Sequence, residues 1–322
     1  MYNKTVRNKA YQFRLAEFLQ TQYNLISLKL TEAPRGFYGE TWNLETADKN
    51  YFVKIDYSES HKTVYAESFS ALAHLEAYNI DFVSKVIKTT CGHLFTIFDG
   101  AVLGVFEWID GENIQNETTK VHEYKMLSKV YTVPTENIYI EKENFIADCV
   151  SEFHSHIDTL KQRKSASFEK LLGLCSHQKP FLSHCENRLQ LFAKKCQFDY
   201  NNFYITHGDA GGNVIQNEDK FWLVDWDLPR LAPPERDAWF CMNRPAFMKS
   251  FKNALSENGI DYSFKDERLC YYAYQSVFEY LNNFLHAFFE LPAAADEIIF
   301  YTEDFFTCWI LESLEYADKI EI

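Results

Sequence analysis

The chain has 322 residues, of which 47% are apolar, 17% aromatic and 24% charged. That is material for about two domains or lobes with a sizeable core, and it excludes a disordered chain, a mini-protein and a collagen-like repeat. Lys and Arg number 32 against 46 Asp and Glu, a net charge of −14; such a surface repels phosphate backbones and anionic lipid, so neither nucleic acid nor membrane is expected as a partner.

Apolar residues at helical spacing (Ala10, Phe13, Leu15, Phe18, Leu19, Tyr23) predict a helix over 8–22. Leu25–Leu30 and Phe37–Leu44 alternate like strands on either side of Thr31–Gly36, and a third strand, Tyr51–Ile55, follows the polar turn at 46–50. Residues 63–77 have a helical period, 83–108 supply two or three more strands, and Ile109–Asn113 reads as a connector. Beyond 114, helices are predicted over 119–131, 142–161, 165–176, 182–196, 235–256, 267–289 and 294–317, interrupted by one strand-like island at 203–227. The resulting fold class is α+β, with a sheet-rich N-terminal lobe at 1–109 and a mostly helical C-terminal lobe at 110–322.

Eight cysteines (Cys91, Cys149, Cys175, Cys185, Cys196, Cys241, Cys270 and Cys308) are dispersed, without a CxxC or zinc-like spacing, as expected of thiols in a reducing compartment. His154 and His156, two apart on a predicted helix, point to different sides, and no metal site is expected there. The N-terminal stretch lacks the apolar core of a signal peptide, and no run of about 18 apolar residues occurs. A cytoplasmic soluble protein, monomeric or weakly dimeric, is the expectation.

The chemistry concentrates in Tyr204–Asp227. Val214–Gln216 and Phe221–Val224 read as a hairpin around Asn-Glu-Asp-Lys. It places Asp209 and Asn213 before its first strand and Asp225 at the end of its second, so two carboxylates and an amide converge at one end. Hard oxygen donors of this kind suit Mg2+, which keeps positions for water and phosphate oxygens. The layout also suits phosphoryl transfer: a loop Asp orients a hydroxyl and accepts its proton, while an Asn and a second Asp hold metal. Lys54, in the third strand, is placed to supply a cation to the phosphates, and Glu67 on the next helix to aim it.

His207-Gly-Asp209-xxx-Asn213, the short hairpin and Leu223-Val-Asp225-Trp-Asp227 resemble the catalytic core of the aminoglycoside phosphotransferase family, within the protein-kinase-like fold. The run from Asp225 to Asp237 resembles the spectinomycin phosphotransferase branch most. The resemblance implies ATP, with GTP as a variant, and Mg2+ as cofactors. It implies Asp209 as catalytic base, His207 as the brace of its loop, and Asn213 and Asp225 as metal ligands. Lys54 would contact ATP phosphates with Glu67 as partner, the backbone of Glu107, Trp108 and Ile109 would bind adenine, and Asp237 would tie down the catalytic loop. The loop departs from the family pattern: three residues, Ala210, Gly211 and Gly212, separate Asp209 from Asn213 where most members have four.

Each residue also has a plainer reading. A loop Asp is commonly a turn former, a strand lysine can be solvated, and Glu67 has rivals in Glu59 and Glu76. Gly36 and Gly39, offered as a phosphate-covering hairpin, do not make a GxGxxG. The expected function is phosphate transfer from ATP to a small hydroxylated, cationic molecule such as an aminoglycoside or aminocyclitol. A choline-like or sugar-like substrate, or a nucleotide-binding module without catalysis, are the alternatives.

Overall fold

Alternate residues of one strand, β3 (Asn50–Asp56), belong to two different cores, and this organises the first third of the chain. Tyr51, Val53 and Ile55 join Trp42 and Leu44 of β2 (Gly39–Glu45), Leu103 and Val105 of β6 (Ala101–Glu107), and Tyr11, Leu15, Leu19 and Tyr23 of α1 (Lys9–Tyr23). The four α1 residues recur every fourth position, the stripe a helix lays on a sheet. Because side chains alternate along a strand, Phe52, Lys54 and Asp56 face the other way, toward α2 (His61–Ala77) and the rest of the molecule. Lys54 sits opposite Gly104 in register. A Cβ at Gly104 would come within 2.2 Å of the Phe69 ring, so glycine there lets Phe69 of α2 lie on the sheet, stacked on Phe106 at 5.4 Å.

The computed structural model describes residues 7–33, 39–58, 61–291, 294–307 and 310–321. The sheet runs β1-β2-β3-β6-β4, with β1 at Lys29–Glu32, β4 at Val86–Ile87, and β5 (Thr96–Phe98) also paired to β6, all antiparallel. The remainder is the helical lobe: α3 (Glu117–Val130), α4 (Asp148–Gln162), α5 (Ala166–His177), α6 (Lys179–Cys196), α7 (Glu235–Ala238), α8 (Pro245–Glu257), α9 (Asp266–Glu290), α10 (Ala295–Phe305) and α11 (Leu311–Asp318). α9 is buried almost all round and packs on α4, α6, α10 and α11, as a central helix must. The architecture is the α+β, sheet-then-helices arrangement expected of a protein-kinase-like fold.

Three expected helices differ in extent. The helix predicted over 235–256 is broken into α7, a 3-10 turn at Trp239–Cys241, and α8, because Pro245 drives Arg244 out of the helical region (φ −119°, ψ 87°). The one predicted over 142–161 begins at Asp148. Residues 141–143 are instead engaged with β11 (Arg230–Ala232) through Leu231 N–H to Glu141 O and Glu143 N–H to Leu231 O, each 2.8 Å. The stretch 294–317 divides into α10 and α11.

The connector at 109–113 is stitched to the hairpin flanked by Asn213 and Asp225. β7 (Glu112–Asn113) pairs with β9 (Val214–Asn217), which pairs with β10 (Lys220–Leu223); β8 (Tyr204–Thr206) pairs with β11. Among the described residues no helix is long and apolar enough to cross a membrane, and the seven described cysteines are free thiols.

Candidate active site

The loop after β8 is held from beneath by Asp237. One carboxylate oxygen accepts the N–H of His207 (3.0 Å) and the Tyr131 hydroxyl (2.8 Å), and the other accepts the N–H of Gly208 (2.6 Å). Asp237 is 1% exposed; in so dry a place hydrogen bonds to a carboxylate are strong. Gly208 has φ +86°, and a Cβ there would press on the Arg236 guanidinium. His207 is fully buried, its Nδ1 accepting the Asp209 N–H (3.2 Å) and its Nε2 lying 2.9 Å from Val224 O. That pairing requires the neutral Nε2–H tautomer, and desolvation pushes the imidazole pKa below its ordinary value accordingly. His207 thus joins the loop to the end of the hairpin and has no free nitrogen for proton transfer.

Asp209 emerges from this loop at the cleft. Its carboxylate is open to solvent but lies against protein and opposite other acids. Desolvation first and the charge of Asp225 second push it up to about 6, against the pull of Arg236 and Asn213. Asn213 Nδ2 donates to the Asp209 backbone carbonyl at 2.6 Å, leaving the amide oxygen as its acceptor. Gly212, at φ +102°, lets the short loop turn back: its carbonyl accepts from Asn113 Nδ2, and a Cβ would meet Gln115 at 2.7 Å.

Asp225 follows β10 in the left-handed region, φ +64°, a strained conformation that Asp tolerates better than most residues. Lys54 Nζ lies 3.2 Å from Asp225 Oδ1 and 2.5 Å from Asp227 Oδ2. The ammonium outweighs desolvation at Asp225 and holds its pKa below the usual carboxylate range, whereas desolvation and Asp225 raise that of Asp227. Tyr65 of α2 donates to Asp56 Oδ2 at 3.0 Å, comes within 3.4 Å of Asp227 Oδ2, and lies under the Lys54 ammonium. Asp225, Asp227 and the Asn213 amide oxygen are hard donors of the kind that fit Mg2+, and in this structure their charge is met by an ammonium.

Three expectations change. Glu67 does not aim Lys54: its carboxylate accepts the Glu141 N–H at 3.0 Å, and among the described residues no ion pair joins the two. Asp227, two residues beyond Asp225, reaches the ammonium instead. Of the expected adenine-binding backbone, the Glu107 N–H is used by Lys85 O (2.9 Å) and the Trp108 N–H by Asn50 O (3.3 Å). Only the Ile109 N–H is without such a partner among the described residues. Gly36 lies outside the described residues. Gly39 is a strand residue opposite Asp56, and its Cβ would be 2.8 Å from Ile55 O, so close strand pairing accounts for it.

A cavity of about 390 Å³ opens beside the loop after β8, lined by Gln115, Lys120, Glu123, Gly212, Phe240 and Tyr280 among others. Glu123 is 1% exposed and paired with Lys120 at 2.8 Å; desolvation outweighs that pairing and pushes its pKa up to about 7. The Lys120 ammonium also lies 4.4 Å from the centre of the Phe240 ring. Arg244, another wall residue, pairs with Glu312 at 3.3 Å. Sequence reasoning missed Tyr65 and this cavity wall, which five separate segments supply. Asp227 was in view, but only its proximity to Lys54 assigns it a partner.

No family model and no curated protein matches the sequence. Solved structures do match in fold. The chain is similar to the spectinomycin phosphotransferase APH(9)-Ia in complex with ADP and spectinomycin, at 19% identity and TM-score 0.78 over 96% of this chain and 98% of that one. It is similar to a putative aminoglycoside phosphotransferase from Ralstonia eutropha (13% identity, TM-score 0.61, 97% of this chain, 99% of that one). A third likeness is to the amicoumacin kinase hAmiN in complex with AMP-PNP, Ca2+ and Ami (11% identity, TM-score 0.60, 94% of this chain, 96% of that one). At these identities the relationship is one of fold.

Proposed function

We propose that this chain is a Mg2+-dependent ATP:alcohol O-phosphotransferase whose acceptor is a small hydroxylated, amine-bearing molecule such as an aminoglycoside or a spectinomycin-like aminocyclitol. The observation that carries the reading is the convergence of Lys54, Asp225 and Asp227, from segments about 170 residues apart, beside a loop acid at position 209. The nucleotide and antibiotic in the similarly folded phosphotransferases support it.

In this reading residues 1–109 bind nucleotide and 110–322 supply the catalytic loop and acceptor cavity. The Ile109 N–H takes adenine, and Lys54 exchanges its carboxylate partners for phosphate oxygens. Asp209 accepts the proton of the attacking hydroxyl at its carboxylate, where a raised pKa brings the base closer to working pH. His207 and Asp237 hold that carboxylate in place without touching the reactants. Mg2+ held by Asp225 and Asn213 would neutralise charge on the triphosphate. The acidic surface, net −14, favours a cationic acceptor.

The test is ATP turnover with and without Mg2+ against a panel of aminoglycosides, aminocyclitols, choline and simple sugars. Asp209→Ala should lower turnover at least ~100-fold, the scale of a positioned base. Undiminished turnover in that variant removes the mechanism. An ATP-induced rise in Tm with no phosphate transferred to any alcohol would leave a nucleotide-binding module instead.

A further inference from the structure

The surface where α4 meets α9 holds a second cluster of metal-ligating side chains. Glu152 and His156 stand one turn apart on α4, and Asn282 and His286 one turn apart on α9, so the two helices present matched pairs. Ligand atoms of Glu152, His156 and His286 all lie within 4.8 Å of one another. Glu152 Oε1 is 2.7 Å from His286 Nε2, and the two imidazole rings meet edge to face at 4.5 Å.

The buried residue behind them gives the cluster direction. Asn282 is 3% exposed, and its Nδ2 donates to Cys149 O at 2.8 Å and Glu152 Oε2 at 3.2 Å. Both its donors are thereby committed, so its Oδ1, 3.1 Å from His156 Nδ1, must accept a proton from that nitrogen. The His156 proton is therefore on Nδ1, leaving Nε2 with its lone pair. Such second-layer hydrogen bonds orient a metal-binding imidazole and set its tautomer. The Phe289 ring packs 5.6 Å from that of His156 as an apolar wall, while Glu152 and His286 remain partly open to solvent for entry of an ion.

We propose that Glu152, His156 and His286 form a site for a divalent cation of the Zn2+ class, with water in a fourth position, that ties α4 to α9. Two imidazoles and one carboxylate favour such a borderline ion over Mg2+ or Ca2+, which prefer oxygen donors throughout. Donors around tetrahedral Zn2+ lie roughly 3.5 Å apart, which these side chains reach by torsional adjustment. The cluster shares no residue with the Asp209–Asp225 group and does not depend on the function proposed for that group.

The experiment is calorimetric titration of the full chain with ZnCl2 in excess Mg2+, in a Cys91→Ser background because Cys91 is an exposed thiol. One equivalent of Zn2+ should bind, and Co2+ in its place should give visible ligand-field bands. Asn282→Ser should weaken binding about 10- to 100-fold, and His286→Ala should abolish both binding and bands. Should a buried substitution disturb folding, Glu152→Gln on the exposed side should still weaken binding by about tenfold or more with the circular dichroism spectrum unchanged. Absence of Zn2+ binding, or binding unaltered by Glu152→Gln and His286→Ala together, would overturn the proposal.

Discussion

The loop at 207–213 and the strand–helix pair that carries Lys54 and Glu67 position charge in contrasting ways. In the loop, Asp237 grips backbone N–H groups of His207 and Gly208 only about 30 residues away. Backbone donors cannot change rotamer, so the geometry is rigid. Lys54 is held by carboxylates more than 170 residues distant, through side chains alone. A flexible ammonium between two acids can trade one anion for another, whereas a buried carboxylate under two amides cannot. The first arrangement fixes the backbone next to Asp209; the second leaves the Lys54 ammonium able, in the proposed function, to exchange its carboxylates for phosphate.

The largest way to break this contrast is Asp237→Ala. It strands the His207 and Gly208 N–H groups and the Tyr131 hydroxyl, and should cost about 3 kcal/mol in chemical denaturation, with turnover lost beyond what the stability change explains. Gly208→Ala tests the same loop more gently. A side chain at φ +86° must displace Arg236, which bonds Thr206 Oγ1 at 3.1 Å, and about 2 kcal/mol of destabilisation is expected in thermal or urea unfolding.

Acidity gives a third measurement. In the proposed mechanism Asp209 works as the deprotonated base, and its pKa is raised to about 6, so kcat/KM should plateau above neutrality. It should then fall about fivefold between pH 6 and pH 5, steepening toward tenfold per pH unit below that, as the proton returns, a profile Asp209→Asn should lack. The smallest effect belongs to Glu67→Gln. Since Glu67 receives an N–H of Glu141 and not the Lys54 ammonium, the substitution should cost about 1 kcal/mol or less. ATP KM should move less than with Asp227→Asn, which removes a charge beside Lys54. Equal effects would mean that the two regions are not as different as their hydrogen bonds indicate.

The strands at 39–45 and 50–56, the hairpin at 214–223 and the helix at 266–290 lie close to where alternation and helical period put them. The pattern over 235–256 was misleading because periodicity does not register one proline's effect on the residue before it. Of the candidate site, the group at 207, 209, 213 and 225 was legible, since a tight hairpin brings together residues already near in the chain. Glu67 was not: helical position says which face a side chain takes, not which of several acids lies nearest an ammonium.

The order of residues by itself therefore determined the α+β layout, the two faces of β3 and the cluster of hard oxygen donors around one hairpin. These depend on spacing between near neighbours, which strand and turn geometry convert directly into position. Only the tertiary structure decided that Lys54 rests on Asp227, that Glu67 serves Glu141, that among the described residues the Ile109 N–H has no backbone partner, and that His156 meets His286 across two helices. Those outcomes depend on distances between segments far apart in the chain, set by how the lobes and helices pack and not by any local pattern.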